Sequence, residues 1–207
     1  MRIEQVGYDH PDAAALIAEV QQEYAARYGS EDASPADPAE FAAPWGRFLV
    51  GYLAGTPVAC GGWHALGTDA EIRRMYVSRA ARRRGFARAI LAELERTALA
   101  AGHRRMILET GTVLPEAVAL YRSAGYTDIA PFGYYADACL SVYLGKLLGR
   151  ADAGGPRRTP MAAALAGRGH GRCGAGLRVA APHPHRGENQ QDGRVAAEHR
   201  EPGPRRQ

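Results

Sequence analysis

The apolar positions of the first 148 residues change period several times, and each change marks an element. Residues 2–6 alternate and read as a short strand. Asp9 or His10 as N-cap and Pro11 at the first helical position then open a helix. Its stripe is Leu16, Ile17, Val20 and Tyr24, and it ends near Tyr28 and Gly29. Residues 30–44 follow as a loop, with 38–42 suited to a short helix. Residues 48–53 and 58–64 flank Ala54-Gly55-Thr56-Pro57, a hairpin signal. Residues 70–77 alternate again, which assigns Ile72, Arg74 and Tyr76 to one face and Glu71, Arg73, Met75 and Val77 to the other. Phe86, Ile90, Leu94 and Ala98 recur every four residues and predict a helix running to about Ala101, stopped by Gly102. Residues 106–110 form a fifth strand. Pro115 starts a third helix through Val118, Leu120 and Tyr121, closed by Gly125. Residues 126–130 and 139–147 read as the last strands, joined by Phe132-Gly133-Tyr134-Tyr135. Hairpins first and helical crossovers later predict an α/β fold, a mixed sheet layered with helices.

That patterning stops near Gly149. Every Phe, Tyr, Trp and Ile lies before Arg150, so residues 1–148 are expected to form one domain with a buried core. Residues 149–207 are rich in Ala, Arg, Gly and Pro and are expected to be a disordered tail, unable to bury enough surface to offset ordering. Charge divides at the same place: residues 1–149 hold 15 basic and 17 acidic residues, and residues 150–207 hold 11 basic and 5 acidic. The basic pI of about 9.1 thus belongs to the tail and does not argue for specific nucleic-acid binding by the domain. So abrupt a change also suits a shifted reading frame appended to a complete domain.

The candidate chemistry sits where strand 70–77 meets the second helix. Arg82-Arg83-Arg84-Gly85-Phe86-Ala87 places small residues and cations at a helix N-terminus, where successive N–H groups receive phosphate. Arg82-x-x-Gly85-x-Ala87 resembles the Q/R-x-x-G-x-G/A signature of the GNAT superfamily of N-acetyltransferases. A second block, Ala117-x-x-Leu120-Tyr121-x-x-x-Gly125-Tyr126, resembles the other half of that family's coenzyme-binding core, at a spacing that leaves room for one helix and one strand.

The resemblance implies a mainly antiparallel central sheet layered with helices, acetyl-CoA as co-substrate, and transfer of its acetyl group to a primary amine of a small molecule or peptide. By the same resemblance Met75, Tyr76 and Val77 lie along the pantetheine arm. Arg82, Arg83, Arg84, Gly85, Phe86, Ala87 and Arg88 take the pyrophosphate. Tyr121 gives a proton to the leaving thiolate, and Glu71 is the general base with Glu109 as competitor. Tyr121 also fits a core aromatic, and Glu71 also fits a glutamate paired with Arg73 or exposed. Leu114 stands where many relatives carry Asn, which removes one side-chain bond to the coenzyme. The acidic loop with Glu31, Asp32, Asp37 and Glu40 fits an ordinary solvated connection and also suits an approaching cationic amine. Trp63, His64, Tyr134 and Tyr135 fit either the acceptor side or packing. The rival reading is a non-catalytic acyl-CoA-binding sensor. Many relatives are dimers, so a homodimer is allowed.

Cys60, Cys139 and Cys173 are widely spaced and odd in number, which suggests neither a disulfide framework nor a zinc site. Cys60 and Cys139 read as small apolar strand residues. No leader and no apolar run long enough to span a membrane are visible, so the expected compartment is the cytoplasm. In the tail, Gly169 to Gly174 satisfies G-x-G-x-x-G with Glu188 beyond it. No strand precedes it and Pro182 and Pro184 follow, so it is rejected as a dinucleotide fingerprint. His170 with Cys173, and His183 with His185, lack a closed metal-ligand set.

Overall fold

The computed structural model describes residues 1–149. The tail, with its glycine motif and its His and Cys pairs, lies outside the described residues.

Seven strands form one sheet: β1 (Arg2–Val6), β2 (Gly46–Leu53), β3 (Thr56–Leu66), β4 (Asp69–Val77), β5 (Arg105–Gly111), β6 (Thr127–Asp128) and β7 (Ser141–Leu147), in the order β1-β2-β3-β4-β5-β7-β6. Every neighbouring pair is antiparallel except β4 with β5. The helices are α1 (Pro11–Tyr28), α2 (Phe86–Ala100) and α3 (Pro115–Ser123). This is the mixed, mainly antiparallel α/β architecture expected from the sequence.

Local chemistry sets the boundaries. His10 Nδ1 accepts the Asp12 N–H at 3.2 Å and Pro11 follows, which starts α1. Gly29, at φ 85°, returns its N–H to the Ala25 carbonyl and ends it. Ala54 and Gly55 both take positive φ, the requirement of a two-residue hairpin turn, so Thr56 and Pro57 belong to β3 rather than to the loop. On one sheet face α2 and α3 bury Ile90, Leu94 and Tyr121 against Trp63, Met106 and Leu108. On the other, α1 buries Leu16 and Val20 against Phe48, Val50 and Tyr76. Each such aliphatic side chain contributes about 1.5–3 kcal/mol.

Two expectations are corrected, and one left open, for Trp63, is decided. The last strands are shorter: β6 is two residues and β7 begins at Ser141, so Cys139 is an exposed loop residue, while Cys60 is a buried strand residue as expected. Trp63 is a packing residue, fully buried with its indole N–H donating to Thr97 Oγ1 at 2.9 Å. The second correction is that Ile72 and Tyr76 do not share a face. Cys60 pairs with Tyr76 and Gly62 with Arg73, so Gly61 opposes two residues, Arg74 and Met75. Arg74 is the bulged residue, at φ 57°. The extra residue reverses the alternation: Ile72 packs in the α2 layer and Tyr76 in the α1 layer. The Arg74 carbonyl accepts from Cys60 Sγ at 3.4 Å. A Cβ on Gly61 would stand 2.7 Å from Met75 Sδ and 3.1 Å from Ile90 Cγ2, so glycine leaves room there for the Met75 side chain under α2.

Candidate active site

β4 pairs with β5 only at Ala70 with Met106 and Glu71 with Ile107. Beyond Glu71 the two strands part. The gap is a cleft of about 500 Å³, walled by Ile72 to Val77 on β4, Glu109 and Thr110 on β5, and Val20, Glu23 and Tyr24 on α1. One end is closed by Ala81 to Arg83 and Gly85 to Arg88, and the far side by Leu114, Ala117, Leu120 and Tyr121.

The end at α2 is built from backbone. Gly85 is the N-cap at φ 82° and has no side chain to satisfy the first N–H groups of the helix. The first ladder bond runs from Ala89 N–H to the Gly85 carbonyl, so the N–H groups of Phe86, Ala87 and Arg88 precede the ladder at the cleft's edge. A Cβ at Gly85 would meet no protein atom within 4 Å, so the positive φ is what requires glycine there. Unpaired N–H groups at the positive end of a 15-residue helix suit a diphosphate.

The arginines of the turn divide their work. Arg82 is held by the Glu23 carboxylate, donates from Nε to the Val77 carbonyl at 3.0 Å and lies over the Tyr76 ring. It therefore anchors the turn to α1 and β4. Burial alone would raise the Glu23 pKa, but Arg82 and Arg27 outweigh it and hold the carboxyl below its ordinary value. Arg88 donates to Ser123 Oγ at 2.9 Å, linking α2 to α3. Arg84 lies over the Phe86 ring and Arg83 lines the cleft.

Tyr121 is 5% exposed, lines the cleft, and stacks edge-on against Tyr126. Its hydroxyl makes no hydrogen bond among the described residues, and burial pushes its pKa up, so the phenol keeps its proton at any working pH. Leu114 precedes α3 without a side-chain cap and presents an apolar wall.

The two glutamates separate. Glu71 does not line the cleft. Its Oε2 pairs with His64 Nε2 at 3.0 Å, both side chains being largely buried. Glu71 is thus neither the partner of Arg73 nor exposed, the two bland readings open in the sequence. That pair lies beside a separate hollow of about 240 Å³ lined by Glu40, Trp45 and His64. Glu109 does line the cleft. Burial, with the nearby Asp32 and Glu71 carboxylates, pushes its pKa up against a 2.6 Å hydrogen bond from Ser141 Oγ and the charge of Arg73. Facing it, burial and the Glu109 charge raise the Tyr28 phenol to about 12.

In the loop after α1, Glu31, Asp37 and Glu40 are exposed, whereas Asp32 is turned inward. Asp32 accepts from the Ser34 hydroxyl at 2.6 Å, the Ser34 N–H at 2.8 Å, the Tyr135 hydroxyl at 2.7 Å and the Arg74 guanidinium. Burial would raise its pKa, but Arg74 and these bonds hold it below the usual carboxylate range. Asp37 caps a 3₁₀ turn by accepting from the Ala39 N–H. Tyr135 therefore ties the loop before β7 to the loop after α1, whereas Tyr134 is exposed. Sequence reading missed Ser141 and Glu23 as site-building residues, and missed that Asp32 and Tyr135 bond to each other, because no spacing links segments up to 103 positions apart.

Three findings bear on kinship. Residues 17–126 match the Acetyltransferase (GNAT) family. A protein of Azospirillum brasilense named IAA acetyltransferase is 37% identical over 136 residues, 64% of this chain and 88% of its own length. The fold recurs in a GNAT-family acetyltransferase from Staphylococcus aureus Mu50, at 14% identity and TM-score 0.58 over 72% of this chain and 100% of that one. It recurs also in the PaiA N-acetyltransferase of Thermoplasma acidophilum, solved with coenzyme A, at 14% identity and TM-score 0.55 over 71% and 99%. With the strand–turn–helix motif, the cleft and the family match in agreement, the chain belongs to the GNAT family and is an acyltransferase that uses an acyl-CoA co-substrate.

Proposed function

We propose that the protein moves the acetyl group of acetyl-CoA to a primary amine of a small molecule or peptide, with Glu109 as general base and Tyr121 as the acid that meets the leaving thiolate. The observation that carries this reading is the parting of β4 from β5 after Glu71, which gathers every needed group around one cleft. Along Met75, Tyr76 and Val77 β5 supplies no ladder partner, so apart from the Val77 carbonyl, which Arg82 takes, the backbone groups turned from β3 are open to an amide-bearing pantetheine arm that adds like another strand. The N–H groups of Gly85 to Arg88 receive the diphosphate, with Arg83 and Arg84 supplying charge around them and Arg82 holding the turn in place.

Glu109 replaces Glu71 as the preferred base because it lines the cleft while Glu71 is engaged by His64. A raised carboxyl pKa makes Glu109 a stronger base than an ordinary glutamate, and such general-base help contributes about a hundred- to ten-thousandfold. The amine nitrogen forms its bond to the thioester carbonyl carbon, and its proton passes to Glu109 directly or through one water. The carbon–sulfur bond then breaks and the sulfur takes the Tyr121 proton, which solvent or the proton held by Glu109 restores. An N–H of β4 next to the bulge faces the carbonyl oxygen as it becomes negative.

A calorimetric titration with acetyl-CoA and a thiol-release assay on a panel of primary amines test the reading. Micromolar binding and amine-dependent release are expected; coenzyme hydrolysis that no amine accelerates would remove the transferase assignment to amines.

A further inference from the structure

We infer that the acceptor carries a carboxylate near its amine and that Arg73 selects it, an inference that rests on the amine-acetylating reading above and names the class of amine. Five arginines line the cleft: Arg73, Arg74, Arg82, Arg83 and Arg88. Arg74 is neutralised by Asp32 and Arg82 by Glu23. Arg83 and Arg88 stand at the start of α2, where the diphosphate belongs. Only Arg73 is at the other end without a carboxylate within 4.0 Å among the described residues. Its charge reaches Glu109 strongly enough to offset part of the rise in that pKa, yet the two form no ion pair.

The guanidinium is held in place rather than loose. Its Nη2 donates to Ser34 Oγ at 2.6 Å and to the Pro35 carbonyl at 3.2 Å, both neutral oxygens. Nε and Nη1 make no hydrogen bond among the described residues, which leaves three of the five N–H donors of the fork available. A fixed, uncompensated guanidinium beside a carboxylate base repels a plain diamine and attracts a zwitterion: ammonium toward Glu109, carboxylate toward Arg73. Asp32, the loop carboxylate whose charge reaches Glu109, is bound by Arg74 and Tyr135 rather than by Arg73. The acceptor class that fits both charges is therefore an amino acid or another short amino-carboxylate.

Thiol release is measured with acetyl-CoA on the proteinogenic amino acids, β-alanine and 4-aminobutyrate, each against its own carboxamide, in wild type, Arg73→Gln and Arg73→Lys. At least one pair is expected to favour the acid in wild type, chiefly through KM. That preference should fall by about 10- to 100-fold in Arg73→Gln and partly return in Arg73→Lys. Dividing the variant's acid-to-amide ratio by that of wild type cancels both the lower amine pKa of the amides and any unfolded fraction. Turnover confined to amides or to amines without a carboxylate, or a ratio unchanged in Arg73→Gln, overturns the role of Arg73 and leaves amine acetylation standing. Binding of acetyl-CoA without turnover of any amine overturns the amine reading, and this inference with it.

Discussion

The two ends of the cleft are made in different ways. At the α2 end the useful groups are backbone N–H donors of consecutive residues, Gly85 to Arg88, fixed by one helix start and one residue at positive φ. At the Glu109 end the useful groups are side chains from four segments: Asp32 after α1, Arg73 and Arg74 on β4, Glu109 on β5, and Tyr135 and Ser141 before and at the start of β7. A backbone device tolerates many side chains and recognises a constant ligand. A convergent side-chain device changes with each substitution and suits a varying one. The coenzyme is the constant partner of the reaction and the acceptor the varying one, so this division matches the chemistry.

The widest expected effect lies at the acceptor end. Glu109→Gln should lower kcat by about a hundred- to ten-thousandfold while leaving the dissociation constant of acetyl-CoA within about threefold. In wild type the rate should fall as pH drops through a Glu109 pKa above the ordinary value of about 4.3, because the base is then protonated. The variant should lack that acid limb. A raised carboxyl pKa also means that the ionised form costs the fold stability at neutral pH, so the melting temperature of Glu109→Gln should not fall. A matching loss of activity and melting temperature would assign Glu109 to structure instead.

Next is Asp32→Ala, which strands the buried Arg74 charge and should cost about 3–5 kcal/mol in denaturant unfolding. Asp32 has a depressed folded pKa, so its contribution is present above the unfolded value of about 3.9 and is lost as pH falls through the folded value. Stability curves of Asp32→Asn and wild type should therefore converge in acid. Curves that stay parallel down to pH 2 would show that the pair does not hold the loops together.

At the coenzyme end, Gly85→Val forces a β-branched residue to φ near 82° and puts methyl groups beside the N–H donors. Calorimetry should show acetyl-CoA affinity lowered by about 100-fold, with acid-versus-amide preference unchanged; a change in that preference would couple the two ends. The smallest effect is expected for Tyr121→Phe. It should lower kcat about tenfold with little change in coenzyme affinity, since the buried ring remains and only the hydroxyl is lost. Equal losses in both would make Tyr121 a packing residue.

The same contrast decided what the sequence made legible. The α2 end could be read because everything in it is local: the period of Phe86, Ile90, Leu94 and Ala98, and one glycine at the helix start. The order of elements along the chain was legible for the same reason, whereas the seating of β7 between β5 and β6 has no local signal. The acceptor end was not, because the pairing of Asp32 with Tyr135 and of Glu109 with Ser141 exists only after the sheet forms. Glu71 shows the same limit, since nothing in the spacing shows that His64 pairs with it. The alternation on β4 did mislead: period two holds on either side of Arg74 but not across it.

That single bulged residue makes chain length, as well as composition, a determinant of the enzyme. Downstream of Arg74 every side chain of β4 is out of phase with those upstream, so one strand serves both layers of the protein in turn. Removing one codon there would bring the halves back into phase. Met75 and Val77 would still face the α2 layer and Tyr76 the α1 layer, but the strand would lose the extra side chain that grips Asp32, yielding a more regular sheet with the loop after α1 untethered.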